Sequence, residues 1–460
     1  MTPRVDPANK YRSYRDVVRV SMPLVISMTT TVVMTFTDRI FLANYSLNTI
    51  AAALPAGVSA FVLFTFFADT AGYSNVIIAQ YTGAGVLQRV GSALWQGIYF
   101  SLMAWLIMVG LSFGAGSLFR MVGHSAEIQQ LEVIYFRILC LGSGMHIIGM
   151  SLSSFFTGRG VTRPVMIIYF IGMLLNVPLD YALINGIWIF PELGILGAGI
   201  ATVFSWVIIT LLLGVIVFTR ENDRNFRVFK NHDFDADLFR RLLRFGVPSA
   251  LHFSLDVFAF VFFIFMVGRI GKTELAVTNI ALSLDSVSFR PLIGFALGTS
   301  TLVGQALGRN RPDEAVSAAK ATMVIVASYI SVLILIFVFV PQPLLDLFRP
   351  RNISPEGFAA IKGSGIVVLR FVAAYLFLDG IYMISTAVLK GSGDTQFIMW
   401  SMGLLSVFGM ILPVYVGIEI FGGGLYFAWS CAVFFLFQLA ALSFWRFSQG
   451  KWKGMRVIEK

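Results

Sequence analysis

NVIIAQYTGAG, residues 75–85, and STLVGQALGRN, residues 300–310, are one passage written twice, with Gln80 falling on Gln305 and Gly83 on Gly308. The same shift of 225 residues places Pro23 on Pro248 and Ala51 on Ala276. Further along the shift becomes 233, which sets Arg137 on Arg370, Gly158 on Gly391, Gly160 on Gly393 and Thr162 on Thr395. The eight extra residues fit the 349–355 loop. The chain is a duplicated sequence.

What has been duplicated is apolar. With 57% hydrophobic residues, 13% charged and a mean hydropathy of +0.81, so much hydrocarbon surface cannot be hidden in one water-soluble core. Stretches of the ~20 residues needed to cross a bilayer fall at roughly 17–44, 48–81, 92–119, 129–156, 164–186 and 195–219. Six more follow at roughly 243–268, 274–306, 315–345, 359–388, 396–418 and 423–447. The fold class is therefore an all-α membrane protein of twelve transmembrane helices in two pseudo-symmetric six-helix bundles. Its segments are 1–16 (amino-terminal), 17–219 (N-lobe), 220–242 (linker), 243–447 (C-lobe) and 448–460 (tail). An even number of helices per half makes the repeat parallel, the plan of a secondary transporter with substrate handled between the halves. The first apolar stretch is too long for a signal peptide and has no small-residue cleavage site.

Charge orients the chain. Placing both termini inside puts roughly 24 of the 34 Lys and Arg at cytoplasmic ends, as the positive-inside rule requires. A cell membrane, bacterial inner membrane by expectation, is the implied location. The polar stretch 219–241, TRENDRNFRVFKNHDFDADLFRR, reads as a cytoplasmic linker. The net charge of +10 suits anionic lipid head groups and gives no reason to invoke nucleic acid. Cys140 and Cys431 lie in apolar segments, so no disulfide framework is expected.

Several segments together resemble signatures of the multidrug and toxic compound extrusion (MATE) transporters: FTDRIFLAN (36–44), TGRGVTRP (157–164), NVPLDY (176–181), GILGAGIAT (194–202), VGQALGRN (303–310) and LKGSGDT (389–395). The resemblance covers essentially the whole chain. It implies a MATE-like fold and a monomeric, Na⁺- or H⁺-coupled antiporter exporting small organic compounds, with no cofactor beyond the coupling ion.

An ionised Asp at mid-membrane costs roughly 2.5–3.5 kcal/mol even on lenient insertion scales, so each one kept there is a functional candidate. Asp38, Asp69, Asp180, Asp256, Asp285 and Asp379 all fall in expected spans. Counting a rise of ~1.5 Å per residue, Asp38, Asp180 and Thr202 occupy the outer half of the membrane, and Asn176 stands one turn before Asp180 on the same face. Two carboxylates with amide and hydroxyl oxygens make a hard-oxygen cage suited to a small hard cation such as Na⁺ or to a proton. The resemblance implies an N-lobe cation site at Asp38, Asn176, Asp180, the Ala198 carbonyl and Thr202. A structural hydrogen-bond network is the competing reading.

A second pair, Asp256 and Asp379, comes out near 17 Å deep by the same count. Some family members carry a C-lobe cation site at these positions, with Glu where this chain has Asp256. His252, one turn before Asp256, fits either a proton relay or a helix-stacking hydrogen bond. Asp69 is a candidate to line a cavity. Asp285 belongs to a cavity or relay, or pairs with Arg290. Enzyme chemistry finds no support: the four His are scattered, and no HExxH, GxSxG or Walker sequence occurs. The nearest rival function is a flippase for lipid-linked oligosaccharides, whose pyrophosphate cargo calls for a basic cavity.

Overall fold

The computed structural model describes residues 7–122, 124–187, 189–349 and 358–459. Most of the 349–355 loop expected to absorb the extra residues lies outside them, as does the start of the amino-terminal segment. Among the described residues there is no β-strand, and twelve helical spans are long and apolar enough to cross a membrane. The protein is a multi-pass membrane protein.

The spans of the first half begin with α1 (Pro7–Tyr45), α2 (Leu47–Gly72), α3 (Ser74–Ala84) and α4 (Gln88–Phe113). They continue with α5 (Ala115–Val122), α6 (Ala126–Thr157), α7 (Arg163–Asn185) and α8 (Ile195–Val217). Two expected spans are therefore broken. The second pauses at Tyr73, behind Gly72, and the third at Gly114, where glycine weakens the helix. Ser46 starts α2 by accepting the Asn48 amide on its side chain, and Gly85 (φ 75°) ends α3 in the left-handed conformation that favours glycine.

After the short α9 (Arg220–Phe226) come α10 (Ala236–Ile270), α11 (Lys272–Gly308), α12 (Pro312–Phe339), α13 (Pro341–Asp346), α14 (Ala359–Ser392), α15 (Thr395–Leu405), α16 (Leu412–Glu419) and α17 (Leu425–Ser448). The expected ninth span stops short at Phe339 because Pro341 cannot continue its hydrogen-bond ladder. A π-turn, Ser406–Ile411, links α15 to α16 just before Pro413. The linker is also more ordered than its composition suggests: α9 occupies its start, and α10 begins at Ala236. Arg159 of the TGRGVTRP loop stacks over Phe155 (4.3 Å) and over Phe226 of α9 (4.2 Å), and burial pushes its guanidinium down to about 10. It stays charged at neutral pH.

Two compact units emerge, and they interleave the sequence halves. One comprises Met22–Ala250, Gly304–Arg311 and Arg456–Lys460; the other comprises Met1–Ser21, Leu251–Val303 and Pro312–Met455. The chain passes between them beside the repeat-mate prolines, Pro23 inside α1 and Pro248 inside α10. In the first unit α6 packs against α2, α4 and α8. In the second α14 packs against α12 and α17. Both cysteines are buried and free.

Candidate functional site

In the first unit, α1 carries Asp38, α6 carries Tyr135 and α7 carries Asn176 and Asp180. The α7–α8 connection sets their level. Gly197 at the start of α8 lies so close to α7 that a Cβ there would stand 2.5 Å from the Leu183 carbonyl oxygen. Ala198 and Thr202 are thereby drawn alongside the last turns of α7, where Pro178 removes one backbone donor from the ladder between Asn176 and Asp180.

The polar side chains here are withdrawn from solvent and from lipid. Asp38 is 8% exposed, Asn176 1% and Asp180 0%. The Tyr135 hydroxyl donates to Asp38 Oδ2 at 3.2 Å. Among the described residues no other protein group satisfies the rest: Asp38 Oδ1, both Asp180 carboxylate oxygens and both polar atoms of the Asn176 amide are buried with no hydrogen-bond partner. Asp38 and Asp180 lie within electrostatic reach of each other, and Tyr135 within reach of both. Ala198 is buried and Thr202 half-buried. A buried polar atom without a partner costs about 1–3 kcal/mol, so five together approach the whole stability of a typical domain. All the acceptors are hard oxygens, the donor set that fits a small hard cation or a proton.

The second unit gathers a different acid cluster. Asp379 on α14 is within electrostatic reach of Asp285 on α11 and of Asp256 on α10. Among the described residues Asp256 Oδ1 and Asp285 Oδ1 are buried with no hydrogen-bond partner, and the buried Tyr375 hydroxyl lies beside the Asp285 carboxylate. His252 Nε2 pairs with the Tyr382 hydroxyl at 2.5 Å, so the imidazole bonds across to α14, while its buried Nδ1 has no partner among the described residues. Asp69 on α2 is half-buried and belongs to the first unit.

Three tyrosines complete these clusters without having drawn attention in the sequence. Tyr375 and Tyr382 sit four residues before and three after Asp379, a helical spacing that could have found them. Tyr135 offers no such signal. The acids also break the repeat. The mate of Asp38 is Phe263, packed on Trp429; the mate of Asp180 is Pro413; and the mate of Asp379 is His146, ringed by Phe64 (5.3 Å) and Trp206 (5.1 Å). Duplication built the scaffold twice and the charge only once in each place.

Comparison with known proteins adds to this geometry. The MatE family model matches residues 23–182 and 248–415, segments that begin on the repeat mates Pro23 and Pro248 and end 233 residues apart. A relative described as a probable multidrug resistance protein NorM, from Thermotoga maritima, is 25% identical over 453 residues, spanning 97% of this chain and 94% of that one. Two solved structures share the fold. One is an outward-facing multidrug resistance MATE family transporter of the MOP superfamily (TM-score 0.86, 20% identity, 95% of this chain and 97% of that one). The other is a MOP superfamily transporter from Pyrococcus furiosus, described as having a binding pocket of reverse polarity that suggests a different function (TM-score 0.86, 21% identity, 95% of each chain).

Proposed function

The chain belongs to the MatE family, and from that premise we propose that it is a cation-coupled antiporter that exports organic, cationic or amphipathic, drug-like compounds. The observation that carries this reading is the set of five unpartnered buried polar atoms on Asp38, Asn176 and Asp180. Two carboxylates ~5 Å apart repel by roughly 3 kcal/mol at an effective dielectric near 20. One Na⁺ or H⁺ relieves that repulsion, and an organic cation offers the same relief. Ion and cargo therefore compete for one patch of negative charge, and exchange follows when the protein changes access only with one of them bound. Asp38, Asn176, Asp180, the Ala198 carbonyl and Thr202 would hold the ion, with Tyr135 fixing the Asp38 carboxylate. Asp256 and Asp379 form a second candidate site.

The NorM relative's description supports a drug-like cargo. The Lys and Arg bias supports cytoplasmic termini in a cell membrane, and the single-chain duplication supports action as a monomer. A flippase of pyrophosphate-linked lipids would need basic residues where this chain buries acids. The test is purified protein in liposomes with Na⁺ and pH gradients imposed separately against a fluorescent cationic dye. Dye movement driven by one gradient identifies the coupling ion, and movement under neither contradicts the proposal.

A further inference from the structure

The duplicated passage that opens the sequence is also a crossing point. At the end of α3 a Cβ on Gly83 would stand 2.0 Å from the Gln305 carbonyl oxygen, and at the end of α11 a Cβ on Gly308 would stand 2.1 Å from the Gln80 carbonyl oxygen. The contact is reciprocal: each Gln-x-x-Gly lays its glycine on the backbone of the other glutamine. Only glycine permits two helix backbones to approach this closely. The Gln305 side chain ties the crossing further, donating from Nε2 to the Gly158 carbonyl at 2.8 Å.

Gln80 is the joint between this crossing and the carboxy-terminal segment. It is fully buried. While its carbonyl abuts Gly308, its Oε1 accepts the Val457 amide at 2.9 Å. Around that bond Val457 and Ile458 are buried, and Arg241 Nη1 donates to the Val457 carbonyl at 3.3 Å. Glu459 closes the segment: Arg89 Nη2 donates to its Oε1 at 2.6 Å and the Tyr81 hydroxyl donates to its Oε2. The other arm of Arg89 donates to Asp235 of the linker at 2.8 Å. Residues 456–459 are thus bonded to α3, α4 and α10, although the chain reaches them from α17 and the short turn Lys451–Gly454 of the other compact unit.

We propose that residues 456–459 are a strap that fastens the Gln80/Gly83–Gln305/Gly308 crossing, with the Glu459–Arg89–Tyr81 bonds as its clasp. Four consecutive residues place two buried apolar side chains, two backbone bonds and a charged clasp on one target, and the target residue Gln80 is shared with the crossing. Helix ends that meet backbone to backbone separate as a step, because packed contacts are bistable and resist gradual deformation. A strap that holds one side of the crossing biases that step. By reciprocity, the crossing stabilises the strap as much as the strap stabilises the crossing.

The test is amide hydrogen exchange on the full-length protein in lipid nanodiscs, independent of any cargo or coupling ion. Glu459→Gln removes the charge from the clasp while preserving its size. We expect exchange in peptides 455–459, 78–86 and 303–310 to rise together by about tenfold, the scale of one charge-assisted hydrogen bond. Gly308→Ala, which pries at the crossing from the other side, is expected to raise exchange in 455–459. Faster exchange of the tail with 78–86 and 303–310 unchanged would overturn the strap, as would an unchanged tail in Glu459→Gln. If Gly308→Ala does not fold, the Glu459→Gln comparison decides alone.

Discussion

Replacing Asp180 with Asn keeps the shape of the side chain and removes one of two buried carboxylates, and it should move stability and ion response in opposite directions. Asp38 and Asp180 lie within electrostatic reach of each other, and two carboxylates ~5 Å apart repel by about 3 kcal/mol at an effective dielectric near 20. Removing it stabilises the ion-free protein by up to that amount. The same substitution takes a similar attraction away from a bound cation, weakening its affinity by about two orders of magnitude. Because an ion at a hundred times its Kd stabilises by about 2.7 kcal/mol, the wild-type protein should gain thermal stability with added coupling ion and Asp180→Asn should not. The assay is thermal unfolding in detergent across Na⁺ and pH series, paired with dye efflux from liposomes. If the carboxylates were only struts in a hydrogen-bond network, Asp180→Asn would be less stable than wild type and would still transport. That pair of results would refute the reasoning.

Other outcomes follow from the same geometry. Tyr135→Phe removes the hydrogen bond that the hydroxyl donates to Asp38 Oδ2 at 3.2 Å, and should weaken ion-dependent stabilisation by about 1 kcal/mol with little change in expression; a full wild-type response would dismiss the role of the hydroxyl. Gly197→Ala pushes a methyl to within 2.5 Å of the Leu183 carbonyl oxygen and should cost about 1–3 kcal/mol, whereas Gly110→Ala, with nothing within 4 Å of the added carbon, should be neutral or stabilising in the same melt. Acidification should release the tail. Against the desolvation of burial, Tyr81 and Arg89 hold the Glu459 carboxyl below its ordinary range, and the Leu238 amide and Arg89 do so for Asp235. Depressed carboxylates contribute stability above their unfolded values, near pH 4, and lose it as pH falls through the folded ones. A nitroxide at Arg456→Cys should therefore be immobile at neutral pH and mobilise only below about pH 4; mobility already at pH 7 would contradict the docking.

Much of this was readable in the amino acids. Apolar runs of bilayer length leave helices as the available solution, and the paired Pro23/Pro248 and Gln80/Gln305 reveal the duplication. Asp38 and Asp180 could be singled out because charge is expensive in hydrocarbon. Tyr135 could not: a phenol costs little in a membrane, and nothing separates it from the other tyrosines until α6 is seen beside α1. The breaks at Tyr73 and Gly114 were hidden because a glycine in an apolar run is as compatible with close helix packing as with a bend. Least legible was the tail. Val457, Ile458 and Glu459 have no periodicity, and their meaning comes from Gln80, Arg89 and Arg241, which are far from them in sequence. Nor does the boundary between halves announce that Gly304–Arg311 folds with the first of them; that depends on a glycine crossing that only three-dimensional proximity makes visible.

The central claim is that an inorganic ion and an organic cation take turns at the carboxylates of Asp38 and Asp180. Equilibrium binding of a lipophilic phosphonium to the purified protein, titrated against Na⁺ and against pH, tests it most directly. The account predicts that one of the two ions weakens phosphonium binding in proportion to its concentration and that Asp180→Asn abolishes this dependence. Phosphonium affinity unchanged across both series would contradict it.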